Sequence, residues 1–238
     1  MSEILVIGDI HQKLNTLKDY LKDWDGDVVF TGDYFDDFDD NIFEVAAMAE
    51  WLAENLDNPK YTFLCGNHDF QYMVIEMFVY CSGFASWKYS EINKILTKEH
   101  WNKLKFFHNI GDIWFSHAGI TRHWFDHPVN GLTVENINEV IDKAKAHLNI
   151  DSRYLGALWA ADRYRGGRSI KGGLLWNDWH NSEFIPNVMQ IVGHTPHPTV
   201  QYIKNDELNA SLLNIDTHLN SIIKLNTATK DYTVIDKL

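Results

Sequence analysis

Two cysteines in 238 residues are too few for a disulfide framework, and Cys65 and Cys81 lack the paired spacing of a thiolate zinc site. Both are expected to pack as small apolar groups. Proline is scarce too, and no Pro-, Gly- or Ser-rich tract marks a linker. No apolar run approaches the roughly 20 residues of a membrane span, and the stretch after Met1 carries neither a basic run nor a long apolar one. This pattern leads us to expect a cytoplasmic protein with no membrane partner. Positive charge is also in short supply, with 21 Lys and Arg against 33 Asp and Glu and a net charge of -12. An extended nucleic acid would meet repulsion over much of such a surface. A small phosphorylated ligand is different, because multivalent cations held among carboxylates reverse the local field. The acidic residues crowd into Asp33, Asp36, Asp37, Asp39 and Asp40, where a solvated loop suits Asp39 and Asp40 better than Asp33.

What is present is a soluble-type composition, 45% hydrophobic and 23% charged, without internal repeats. The length suits a single domain over 1–238. Glu3 to Ile7 reads as a short buried strand, and Lys13 to Trp24 as an amphipathic helix with Leu14, Leu17 and Leu21 at helical spacing. Asp27 to Thr31 is a second strand, followed by a helix over Ile42 to Leu56 with Ile42, Val45, Ala49 and Leu52 toward the sheet. Asn58-Pro59 ends that helix before a third strand at Tyr61 to Leu64. Strands alternating with helices predict a βαβαβ start with a mainly parallel sheet. Further helices are expected within Trp87 to Phe107 and over Thr133 to Leu148.

All three strands end in Gly-Asp or Gly-Asn turns. The first, Gly8-Asp9-Ile10-His11, sets a carboxylate and an imidazole two residues apart, which in extended chain point the same way and can hold one ion. An N-cap aspartate beside a surface histidine is the plainer alternative. The second is Gly32-Asp33-Tyr34-Phe35-Asp36-Asp37. The third, Cys65-Gly66-Asn67-His68-Asp69, delivers a metal-type amide oxygen, a group that titrates near neutral pH and a carboxylate able to orient its neighbour. Three such turns on one sheet edge are not expected by chance.

These motifs resemble the three opening motifs of the calcineurin-like metallophosphoesterases, in particular the serine/threonine phosphoprotein phosphatase branch with its bacterial and phage members. Asp112 to Ser116 leading into His117-Ala118-Gly119 is similar to the family's fourth motif, and Met189 to Val192 leading into Gly193-His194-Thr195-Pro196 is similar to its fifth. Leu174-Leu175-Trp176-Asn177-Asp178 resembles the loop before the fifth motif. Asn214-Ile215-Asp216-Thr217 with Lys224-Leu225 resembles a second-sheet segment after it. The resemblance implies an α/β fold with a two-sheet β-sandwich flanked by helices. It implies that Asp9, His11 and Asp33 hold one divalent ion and that Asp33, Asn67, His117 and His194 hold a second, with Asp33 as the bridge. Mixed oxygen and nitrogen ligands suit manganese, iron or zinc better than calcium, and manganese is the first expectation. His68 is the implied general acid, oriented by Asp36, with hydrolysis by direct attack of metal-bound hydroxide.

The departures are as specific as the match. Asp37 and Asp178 stand where that branch has phosphate-gripping arginines, and His218 stands where it usually has glycine. Arg122, Arg163, Arg165 and Arg168 are the candidate replacements, the last three in a Gly-rich stretch that reads either as a mobile surface loop or as a substrate clamp. His218 either narrows the pocket or adds a donor. His100, His108, His123, His127, His147 and His180 fit no motif and are expected at the surface or as satisfied core groups. Three functions therefore compete: a phosphomonoesterase acting on small phosphorylated molecules or phosphoproteins, a phosphodiester or dinucleoside polyphosphate hydrolase, and a metal-holding regulatory module with little turnover.

Overall fold

The computed structural model describes residues 3–74, 80–126, 133, 135–148 and 158–237. The chain divides into two compact units, Met1–Lys105 with Thr217–Leu238, and Phe106–Asp216. Each is organised by its own five-stranded mixed sheet.

The first unit opens with β1 (Glu3–Ile7), α1 (Leu14–Leu21), β2 (Asp27–Phe30), α2 (Ile42–Asn55) and β3 (Tyr61–Phe63). β1 pairs with β2 and β2 with β3, both in parallel. The continuous apolar runs are explained by burial on both faces: Leu5, Ile7, Val29 and Phe30 are each 2% exposed or less, a gain of about 2 kcal/mol per side chain. α2 starts at a reciprocal cap in which Asn41 Oδ1 accepts from the N–H of Phe43 and Glu44 while Glu44 Oε2 accepts from Asn41 N–H. Val45, Ala49 and Leu52 are fully buried as their spacing predicts, but Ile42 is 46% exposed. It is the first residue of the helix, and its Cβ points back past the end of the element toward water.

α3 (Asn67–Met73), α4 (Ser86–Ile95) and α5 (Lys98–Lys103) follow. The helical spacing in Trp87 to Phe107 is thus split in two. Leu96 turns extended and Thr97 restarts the chain as a new cap, its N–H donating 3.1 Å to Nδ1 of His100. His100 therefore has a structural task.

The second unit contains β4 (Phe107–Ile110), β5 (Ile113–Ser116), α6 (Arg122–Phe125), α7 (Ile137–Leu148), β6 (Met189–Val192), β7 (Gln201–Asn205) and β8 (Ala210–Asn214), in the sheet order β4-β5-β6-β8-β7. β5, β6 and β8 are parallel neighbours with buried side chains, and β7 is a largely exposed antiparallel edge. α7 begins four residues later than its apolar spacing predicts, because Thr133 and Asn136 bond reciprocally in a turn ahead of it. His127 and the side chain of His147 lie outside the described residues.

The chain then returns to the first sheet as β9 (Ser221–Asn226) and β10 (Tyr232–Asp236), giving the order β10-β9-β1-β2-β3. Lys224 and Leu225, expected in the second sheet, pair instead with Leu5 and Ile4 of β1, antiparallel. The turn Asp216-Thr217 therefore separates two sheets, β8 from β9. Among the described residues no helix is long and apolar enough to cross a membrane.

Candidate active site

The turns after β1, β2 and β3 are stitched to one another by their backbones. Ile10 and His11 N–H both donate to the Asp33 carbonyl at 2.9 Å, and Gln12 N–H donates to that of Tyr34. Asp69 joins the second turn to the third. Its carboxylate, fully buried, accepts from the N–H of Asp33, Tyr34 and Gly66, each at 2.8 Å. The close approach requires glycine, since a Cβ on Gly66 would collide with the Asp33 carboxylate and one on Gly32 (φ +107°) with the Gly66 backbone. His11, Asp33 and Asp36 all take left-handed φ values of 43°, 54° and 69°, a conformation that non-glycine residues adopt at a cost and that gathers at functional sites.

This stitching places one ligand atom each of Asp9, His11 and Asp33 within 4.8 Å of one another. His11 Nε2 stands 4.0 Å from Asp9 and 3.9 Å from Asp33, too far for hydrogen bonds. Two ligands at about 2.1 Å from a common ion stand no farther apart than about 4.2 Å, so these spacings fit a cation. His11 Nδ1 lies 3.0 Å from the Phe35 carbonyl, which fixes the N–H on that side and leaves Nε2 as the donor of a lone pair. Asp9 and Asp33 are 1% and 2% exposed, and buried carboxylates at this spacing are favoured by a cation among them.

His68 sits beside this trio. Its N–H donates 2.9 Å to Asp33 Oδ1, and its ring lies edge-on to His11 with centroids 5.0 Å apart. His68 Nδ1 is 2.9 Å from Asp36 Oδ2. Burial pulls the imidazole pKa down, but the charge of Asp33 and then the bond and charge of Asp36 outweigh it and hold the ring above its ordinary value. Asp36 is itself encircled, with Gln71 Nε2 also donating to Oδ2, and the Tyr72 hydroxyl and Lys88 Nζ to Oδ1. Asn67, 3% exposed, directs its Nδ2 to Cys81 Sγ at 3.1 Å, which turns its Oδ1 the other way. Both cysteines are free and buried.

In the second unit, His117 after β5 and His194 after β6 come together, with Nε2 of one 3.1 Å from Nδ1 of the other. Gly193 N–H donates to the His117 carbonyl and holds the two turns in register. His194 has φ 71° and is 6% exposed, and His117 is fully buried.

The candidate phosphate-binding residues are spread out. Arg122 is half exposed on α6 and pairs with Asp126 one turn on. Arg163, Arg168 and His218 are exposed. Arg165 is the partly buried one: Nε lies 2.8 Å from Asp178 Oδ2, and Nη2 donates to the His194 carbonyl and to Thr195 Oγ1. Asp178 also accepts from His180, whose ring stacks on Tyr164. Asp162, fully buried, organises the loop by accepting from Arg165 N–H, Asp178 N–H and Asn181 Nδ2.

Sequence reasoning passed over Asp40, Gln71, Tyr72, Lys88 and Asp162. Asp40 was expected in a solvated loop, yet its carboxylate is 2% exposed and 2.8 Å from Lys88 Nζ. A lone lysine in a helix gives no local sign of burial, so only Asp162 had a usable signal, an acidic residue three ahead of Arg165 in a turn.

The model of the calcineurin-like phosphoesterase family matches residues 2–218. No curated protein matches. Among solved structures, a protein serine/threonine phosphatase from Saccharomyces cerevisiae with similarity to human phosphatase PP5 superposes with a TM-score of 0.54 at 13% identity, covering 99% of this chain and 80% of that one. A metallophosphoesterase from Sphaerobacter thermophilus gives 0.49 at 14% identity, covering 99% and 88%. At such identities the likeness concerns the fold.

Proposed function

The chain belongs to the calcineurin-like phosphoesterases, and from that premise we propose that it is a dinuclear phosphomonoesterase of the serine/threonine-phosphatase type, acting on phosphorylated small molecules or phosphoproteins in the cytoplasm. The observation that carries this reading is the His68–Asp36 dyad set against the Asp9–His11–Asp33 trio, a proton donor beside a cation-binding edge. Asp9, His11 and Asp33 would hold one cation, and the family resemblance makes Asn67 in the first unit and His117 and His194 in the second the candidate ligands of a further one, with manganese first and iron or zinc as alternatives. When bound, such ions neutralise phosphoryl charge and acidify a water.

The protein's own residues supply the rest. His11 donates its Nδ1–H to the Phe35 carbonyl, which leaves Nε2 on the side of Asp9 and Asp33. His68, held above its ordinary pKa, carries the proton that the departing alkoxide or phenolate oxygen needs, and Asp36 holds the ring through Nδ1, which assigns the donation to Nε2. No covalent phosphoenzyme is required. Arg165 offers a guanidinium next to the His194 backbone for the phosphate oxygens.

A second reading, phosphodiester or dinucleoside polyphosphate hydrolysis, is favoured by one observation. Asp37 and Asp178 occupy the places of two family arginines, and their carboxylates accept from Phe38 N–H and from His180 and Arg165. That arrangement suits a singly charged phosphorus centre. The test is hydrolysis of p-nitrophenyl phosphate beside its bis ester with manganese, then with excess chelator. We expect faster monoester turnover that chelation abolishes. Faster diester turnover would move the assignment to the second reading, and none on either ester with two metals bound would leave a regulatory module.

A further inference from the structure

Lys88 lies on α4, 4% exposed, and the proposed chemistry assigns it no part. A buried ammonium needs acceptors for its three protons. Lys88 Nζ finds Asp36 Oδ1 at 3.2 Å, Asp40 Oδ1 at 2.8 Å and the Asp37 carbonyl at 3.5 Å. It thus closes the 36–40 loop around itself. Asp36 receives His68 and Gln71 on Oδ2, and Tyr72 and Lys88 on Oδ1, which fills the acceptor sites of a carboxylate. Gln71 is fixed in turn by Cys81 N–H at 2.8 Å, and Tyr72 is fully buried with its hydroxyl pushed well up, so it remains a neutral donor. Lys88 is the cation that faces both carboxylates, and without it Asp36 would share a buried loop with a second negative charge.

Resting on the hydrolase reading above, we infer that Lys88 is a positioning residue, its ammonium wedged between Asp36 and Asp40 so that the Asp36 carboxylate stays at the angle that aims His68. Tyr72 and Gln71 set the plane of that carboxylate; Lys88 anchors it to the 36–40 loop. The consequence is selective, because a leaving group that departs unaided has little need of an aimed acid.

Two arms test this. In metal-free protein the His68 Nδ1–H should give a downfield, slowly exchanging NMR line, lost in Lys88→Met and retained in Lys88→Arg. With manganese supplied, Lys88→Met should lose more than about tenfold in kcat on phenyl phosphate but only about two- to threefold on p-nitrophenyl phosphate, with Lys88→Arg recovering most of the loss. If Lys88→Met does not fold, Lys88→Met/Asp40→Asn, which removes one charge of each sign, takes the same measurements. Proportional losses on both esters with the NMR line intact would overturn the inference, since a merely structural lysine scales both with the folded fraction. A wild type inactive on every ester would count against the hydrolase reading alone, and the NMR arm would then decide the role of Lys88.

Discussion

Each unit contains a buried carboxylate that holds one imidazole and one side-chain cation. In the first unit Asp36 holds His68 and Lys88; in the second Asp178 holds His180 and Arg165. The groups are alike and the settings are not. The His68 and Lys88 side chains are 14% and 5% exposed, whereas His180 is 71% exposed and Arg165 is 22%. Low dielectric strengthens every interaction around Asp36 and makes any unpaired member costly, while water screens much of the same arrangement around Asp178. The difference teaches that the chemical trio alone does not define a catalytic dyad; burial and the neighbour do. His68 has His11 and Asp33 beside it, and His180 has the exposed ring of Tyr164.

The comparison breaks most sharply in turnover. His68→Asn and Asp36→Asn are each expected to lower kcat on poor leaving groups by about 10² to 10⁴ while the protein still binds manganese by calorimetry. His180→Asn is expected to stay within about threefold. Equal effects at the two histidines would remove the distinction.

Stability gives the next largest contrast. Lys88→Met leaves Asp36 and Asp40 without their cation and is expected to cost about 3 to 5 kcal/mol in denaturant melts. Asp178→Ala, in a partly solvated setting, is expected to cost about 1 kcal/mol. For substrate binding, Arg165→Ala should raise KM for monoesters roughly tenfold, the loss of one charge-assisted contact, and an unchanged KM would leave Arg165 as a loop anchor only.

The smallest effect is a pH dependence. Burial pushes the Asp178 carboxyl up, but the His180 donors and the Arg165 guanidinium outweigh it and hold the carboxyl below its ordinary value of 3.8. A lowered native pKa contributes stability above the unfolded value that is lost as pH falls through the native one. The stability gap between wild type and Asp178→Asn should therefore be full above about pH 5 and close below 3.8. A gap that widened in acid would reverse the assignment.

Much of this was legible in the chain itself. β1, β2 and β6 appear where continuous apolar runs end in Gly-Asp or Gly-His, because a strand buried on both faces has no polar positions to blur its limits. The turns themselves marked Asp9 with His11, Asp33 and His68 as polar groups delivered at strand ends, while the grouping of Asp9, His11 and Asp33 and the pairing of His68 with Asp36 came from the family resemblance; the structure places each group together. Less was legible where a residue's task depends on a distant partner. Asp69 binds a turn 35 residues away, Lys88 reaches back to Asp36 and Asp40, and Asp178 acquires its meaning from Arg165.

By itself the sequence determined the alternation of strands and helices, the family motifs and the identities of the cation-binding candidates, since apolar periodicity and local turn chemistry act over a few residues. Only the tertiary structure decided which acidic residues are dry, which lysine stands among them and which arginine is pinned. Burial and charge pairing are set by chain segments far apart in sequence, and no local pattern encodes the distance between them.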